Sequence, residues 1–131
     1  MEIRVELSKI IINETSDQQV IILKELEGER TLPIVIGIAE IFAIDRRVKG
    51  IEPPRPMTHE LLENMIEGLG AKVEKIVITD LRHHTFFARI IVAVNGEIKE
   101  IDSRPSDAIA LSAGTDIPIF VEDSVFDKAA L

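Results

Sequence analysis

One ten-residue stretch limits the fold more than any other: Asp102-Ser103-Arg104-Pro105-Ser106-Asp107-Ala108-Ile109-Ala110-Leu111. An apolar-alternating run over 98–101 leads into it as a strand. Pro105 then suits the first helical position, where a missing N–H is no loss and its φ is already helical. Asp107 falls in the first turn, where the helix dipole favours a carboxylate. Gly114 follows the last apolar residue and suits a left-handed cap. The helix body is small and apolar nearly all round, so this helix is buried rather than half exposed. Arg104 and Asp107 open it, three residues apart and on one face. Charges at a buried helix start are costly unless paired or put to use. They either tie down the strand-to-helix turn as an ion pair or form part of a site.

The remaining chain supplies the elements around that helix. A strand is predicted over 3–13, its Ile10-Ile11-Ile12 end buried on both faces. Strands over 18–26 and 30–36 make a hairpin through Glu27-Gly28-Glu29, with Pro33 on an edge. A helix over 37–49 carries an apolar stripe of Ile38, Ile41, Ile44 and Val48 with Phe42 beside it, and Glu40 on the margin. The proline-rich segment 50–56 is an extended connector. Thr58 caps a second helix, Met57 and Leu62 forming a hydrophobic staple and Leu61, Leu62, Met65, Ile66 and Leu69 the buried face. Strands over 72–81, 85–94 and 97–102 form a second meander, Asn95-Gly96 being its tight turn. A short strand over 117–121 and a frayed end over 125–131 finish the chain.

The strand–strand–strand–helix order thus occurs twice, offset by about 67 positions. The offset lays Glu40 over Asp107 and Gly37 over Arg104. The expected fold is α+β: one domain over 1–131, a mixed or antiparallel sheet with three helices, built as a duplicated β3α unit. A local twofold would then relate Glu40 to Asp107.

Composition narrows the function classes. With no cysteine there is neither a disulfide nor a thiolate zinc site. No apolar run is long enough to span a membrane, and the chain opens directly on a strand, which favours the cytoplasm. Long apolar strands with little aromatic area present edges, so a homo-oligomer is expected. The net charge of −8 denies the chain a long-range field attractive to phosphates. Any nucleic-acid contact must come from local arginines, a metal ion or an oligomeric groove.

Several stretches carry a family resemblance. Ser103-Arg104-Pro105-Ser106-Asp107-Ala108-Ile109-Ala110-Leu111 and Pro54-Arg55-Pro56-Met57-Thr58-His59-Glu60-Leu61 resemble two motifs of the bifunctional nuclease domain family. Thr85-Phe86-Phe87-Ala88 and Pro118-Ile119-Phe120-Val121 resemble two further blocks, so the likeness runs in order along nearly the whole chain. Ile41 stands where the family often has Ala, a change that would narrow a cavity beside Glu40. The resemblance implies an α/β domain acting on DNA and RNA as a nuclease.

The residues themselves offer a compatible set. Glu40 and Asp107 form a carboxylate pair suited to Mg²⁺ or Mn²⁺ in metal-assisted phosphodiester hydrolysis, or each serves only its own helix terminus. His59 is a general base, a metal ligand, or a hydrogen-bonded residue at a helix start. Arg55 and Arg104 are the natural phosphate clamps, because a planar guanidinium binds phosphate bidentately; either one equally suits backbone carbonyls in a proline-rich turn. The alternative to a nuclease is a non-catalytic module binding a small ligand or a protein.

Overall fold

The computed structural model describes residues 1–130. In chain order the elements are β1 (Glu2–Ile11), β2 (Gln19–Glu25), β3 (Thr31–Ile36), α1 (Ile38–Val48), α2 (Thr58–Gly68), β4 (Lys72–Arg82), β5 (Thr85–Val94), β6 (Glu97–Ser103), α3 (Pro105–Ser112), β7 (Ile119–Glu122) and α4 (Asp123–Ala129). The fold is α+β. Its seven strands form one mixed sheet in the order β3-β2-β1-β7-β4-β5-β6. Every neighbouring pair is antiparallel except β4 and β7.

Read from either edge inward, this order gives three antiparallel strands and then β7. Each outer strand, β3 or β6, leads within two residues into a helix, α1 or α3. Pro33 lies on edge strand β3, opposite Ile22 of β2, so its missing N–H removes no ladder bond on the open side. The turn at Asn95-Gly96 has φ of 51° and 76°, the mirror-image geometry that matches strand twist.

The core is aliphatic. Ile21, Leu23, Leu32, Ile76 and Ile78 of the sheet meet Ile41 and Ile44 of α1 and Ala108, Ile109 and Leu111 of α3, all with no exposed surface. Helix α3 is buried along seven of its eight residues, as an apolar surface on all sides requires. Gly114 (φ 76°) follows it, and the absence of a Cβ there lets the Arg47 carbonyl approach.

Several sequence expectations are corrected. Among the described residues there are four helices rather than three: the segment expected to fray forms α4, which buries Val125 and Phe126 and sets Asp123 and Lys128 at the ends its dipole prefers. Two turns are too short to show a periodic stripe, and Leu131 lies outside the described residues. Ile11 is exposed and Ile10 and Ile12 half-buried, because β1 ends at Ile11 beyond the cover of the helices. On α2, Leu61, Met65 and Leu69 are exposed and only Leu62 and Ile66 reach the core, since this helix packs mainly on α3 and meets the sheet mainly at β4. Met57 is the N-cap of α2 and is itself exposed, so Thr58 is the first helical residue and no staple forms. On α1, Ile38, Phe42 and Val48 likewise stay exposed, leaving Ile41 and Ile44 as its anchors. Ile41 points into the core and lines no cavity beside Glu40.

Truncating Ile109, at the centre of this packing, is expected to cost about 3 kcal/mol, transfer and cavity terms together. Ile98→Ala on the open edge strand β6 is expected to change stability by less than about 0.5 kcal/mol. Urea unfolding midpoints of the two variants check both expectations.

Candidate functional site

Helices α1 and α3 begin side by side, and their third residues are Glu40 and Asp107. Helix α1 starts at Ile38 and α3 at Pro105, 67 positions later. Both carboxylates therefore sit in a first turn, where a helix dipole favours them. Between them lies Arg104, the N-cap of α3. Its Nε donates to Asp107 Oδ2 at 3.0 Å and its Nη2 to Glu40 Oε1 at 3.2 Å. The structure thus brings Glu40, Arg104 and Asp107 together across 67 positions of sequence.

The fourth member is His59, the second residue of α2 and one of few buried polar side chains. Its Nε2 lies 3.1 Å from Asp107 Oδ1. A neutral imidazole that donates through Nε2 presents Nδ1 as an acceptor. The connected set is Glu40–Arg104–Asp107–His59. It surrounds a cavity of about 270 Å³, completed by Ala39, Ala43 and Arg46 of α1 and Met57 and Thr58 of α2. The two alanines leave open the space that larger side chains would fill.

Charge placement follows the geometry. Burial raises the Asp107 carboxyl, but hydrogen bonds from Arg104 and His59 outweigh it and hold Asp107 below its ordinary 3.8. Arg104, in turn, is held more firmly protonated by its bond to Asp107. Its side chain is 64% exposed, which corrects the expectation of a buried pair: α3 is buried, but the guanidinium stands at its mouth in solvent. Among the described residues only two of its five N–H groups find an acceptor, which leaves three unused on a largely exposed side chain. Gly37, the N-cap of α1, is also shaped by this site. A Cβ there would come within 2.5 Å of Glu40 Oε2, so the glycine leaves room for the carboxylate to fold back toward Arg104.

Arg55 is exposed on the connector before α2 and is not among the residues lining the cavity. The structure gathers four of the five candidates and leaves this one outside. Among the described residues, no three His, Asp or Glu side chains form a metal-binding group. Glu40 and Asp107 are both turned onto a guanidinium, so the two carboxylates as arranged receive an arginine where a divalent ion would sit.

A second cluster holds the site in place, and the sequence signalled it weakly. Glu60 accepts from Arg46 Nη2 at 3.1 Å, from Arg47 Nη1 at 2.7 Å and from the Met57 N–H at 3.1 Å. Arg47 also donates to Glu63 and to the Leu111 carbonyl at the end of α3, both at 3.1 Å. One arginine thereby joins α1, α2 and α3 directly behind His59. The reach-back from Glu60 to Met57 is legible as a helix-start pattern, but nothing in the spacing pairs it with α1. Arg46 Nη1 and Arg47 Nε are buried without partners, so Glu60 supplies most of what these guanidiniums have.

Burial raises the Glu60 carboxyl, and the bonds from Arg47, Arg46 and Met57 more than reverse this, holding it below 4.5. A carboxylate depressed in the folded state stabilises it fully above its unfolded pKa and loses that contribution as pH falls through the folded value. Stability is therefore expected to hold down to about pH 4.5 and to fall steadily below it, as Glu60 and Asp107 take up protons. Glu60→Gln is expected to cost about 2 kcal/mol at neutral pH, by leaving two guanidiniums short of countercharge, and to flatten that acid limb. Urea midpoints measured across the acid range decide it: a limb as steep in Glu60→Gln as in the parent would remove Glu60 as its source.

With the geometry in view, likeness to other proteins can be weighed. A family model for the bifunctional nuclease domain matches residues 21–131. An uncharacterized protein of Mycobacterium tuberculosis is 40% identical over 122 residues, covering 93% of this chain and 73% of that protein. Bifunctional nuclease 1 of Oryza sativa is 27% identical over 114 residues, covering 84% of this chain and 34% of that protein. Bifunctional nuclease 1 of Arabidopsis thaliana is 28% identical over 105 residues, covering 77% and 32% respectively. The chain therefore spans about a third of the length of these plant relatives. The model match begins within β2 and takes in every residue of the Glu40–Arg104–Asp107–His59 set: the chain belongs to the bifunctional nuclease domain family.

Proposed function

We propose that the chain is a nuclease domain that hydrolyses phosphodiesters of DNA and RNA at the mouth of α1 and α3. The observation that carries this reading is Arg104, with three unused N–H groups, fixed between two carboxylates beside a histidine that one of them orients. A guanidinium so placed offers a planar fork to a phosphate. His59, held by Asp107, takes the proton of a water attacking phosphorus, as an aspartate-oriented imidazole does elsewhere. The phosphorus–oxygen bond to the sugar breaks, and the departing oxygen takes a proton from solvent. Glu40 keeps Arg104 aimed from its other side.

The reading also answers the charge problem. Two helix N-termini and Arg104 converge on one small cavity, so local donors stand in for the field that a net charge of −8 withholds. Under the metal-assisted form of this proposal, Glu40 and Asp107 would be the residues to hold Mg²⁺ or Mn²⁺, which would neutralise phosphate charge and activate water. The guanidinium would then have to leave them. We further infer that the two halves arose by duplication, since the strand order is the same from both edges and the two carboxylates hold the same helical position.

Highly purified protein is expected to cleave single- or double-stranded nucleic acid, and Asp107→Asn to slow that cleavage about 100-fold or more while remaining folded. Cleavage that survives EDTA would remove the ion and keep the arginine–histidine site. Absence of cleavage by the parent under any cation would leave the ligand- or protein-binding module as the better account.

Salt dependence separates the two arginines. Losing a phosphate contact lowers the slope of log affinity against log salt by about one unit. Arg104→Ala is expected to lower both slope and turnover. Arg55→Ala, an outer contact on the connector, is expected to lower the slope while leaving turnover at saturation unchanged. Filter binding across a salt series, paired with single-turnover cleavage, checks both; lost turnover in a folded Arg55→Ala protein would move Arg55 into the site.

A further inference from the structure

Arg104 lines two cavities. Beyond the one shared with His59 lies a second of about 410 Å³, formed by β3, the start of β5 and the start of α3. Ile34, Ile36 and Phe86 give it apolar walls, while Asp17, His84 and Ser106 carry its polar groups. The sheet curls enough for edge strand β3 to share this space with β5. We infer that this second cavity receives the unstacked base of a nucleotide adjoining the phosphate on Arg104, which makes the substrate class single-stranded nucleic acid. The inference rests on the nuclease reading and extends it.

Three observations carry it. The first is continuity: one guanidinium borders both cavities, so a phosphate on its outward N–H groups has space for a nucleoside on the second side. The second is size and lining. A volume of about 410 Å³ has room for a single nucleoside. Apolar walls with a few polar groups suit a flat heteroaromatic ring with hydrogen-bonding edges.

The third is the turn at the rim. The β4–β5 hairpin closes through His83 and His84 alone, both left-handed, at φ of 50° and 64°. The β5–β6 hairpin closes through the same kind of turn with Asn95 and Gly96, residues that accept this backbone readily. Histidine accepts it less readily than glycine. The β4–β5 turn thus holds two histidines in a backbone that the other turn meets with asparagine and glycine. Of the two turns only the histidine pair touches the cavity, through His84; His83 is not among its lining residues. A left-handed residue other than glycine at a cavity rim points to a side chain kept for what it contacts.

The test uses a labelled strand of mixed sequence, as DNA and as RNA, and the duplex of each with its complement. Anisotropy measures binding and gel analysis measures cleavage. The parent is expected to bind and cleave single strands about tenfold better than duplexes, the scale of one base stacked on a side chain. His84→Gly is expected to weaken single-strand binding by about tenfold without lowering the melting temperature, since it relaxes the turn as it removes the ring. His83→Gly relaxes the same turn and is expected to leave binding within about twofold. Cleavage of duplex as fast as single strand, or equal effects of the two glycine variants, would overturn the inference and leave the nuclease reading standing. A parent that cleaves neither form would remove the nuclease reading and this inference with it.

Discussion

The candidate site rests on one guanidinium between two carboxylates. Glu40 and Asp107 are like charges placed at the starts of two adjacent helices, and each helix belongs to a different outer strand of the sheet. Brought close without a cation they would repel. Arg104 converts that repulsion into two charge-assisted hydrogen bonds of 3.2 and 3.0 Å. Since its own strand and helix supply it, the cation arrives with one of its two anions already in place. His59 depends on the same arrangement, because the Asp107 oxygen it meets is the one that Arg104 leaves free.

Two arginine clusters lie within this small region and do different work. Around Glu60, Arg46 and Arg47 are largely withdrawn from water and spend their donors on carboxylates and on the end of α3. That cluster ties the start of α2, which carries His59, to α1 and to the end of α3. Around Arg104 the guanidinium is open to solvent and keeps most of its donors unspent. Low exposure with nearly all partners internal marks the first as scaffold. High exposure with donors to spare, over a cavity walled by small residues, marks the second as a place where a ligand anion can bind.

The acidic balance of the chain shapes what kind of binding this can be. With a net charge of −8, the proposed binding of nucleic acid would concentrate affinity in a few contacts rather than spread it along a backbone. A site of this type gains from holding a nucleotide by its base as well as by its phosphate, and the two cavities on either side of Arg104 provide room for both.

Much of this was legible in the sequence, and the missing part has a definite physical character. The buried helix α3, the two hairpin meanders, the edge position of Pro33 and the first-turn positions of Glu40 and Asp107 follow from local chemistry: proline at a helix start, apolar residues on all sides, turn residues at fixed places. The family motifs likewise mark the segments around His59 and Arg104. What the sequence by itself could not decide is which amphipathic faces would be covered. The stripe on α2 reads as core and is mostly exposed, and α4 reads as a frayed end and is anchored by Val125 and Phe126. Burial is a property of neighbours, and those neighbours come from distant segments. Tertiary structure alone also decided that Glu40, Arg104, Asp107 and His59 meet, that Arg55 does not join them, and that Arg104 stands exposed at the mouth of a buried helix. The reason is the same throughout: periodicity determines the direction of a side chain relative to its own backbone, whereas convergence depends on how the sheet brings one helix start against another.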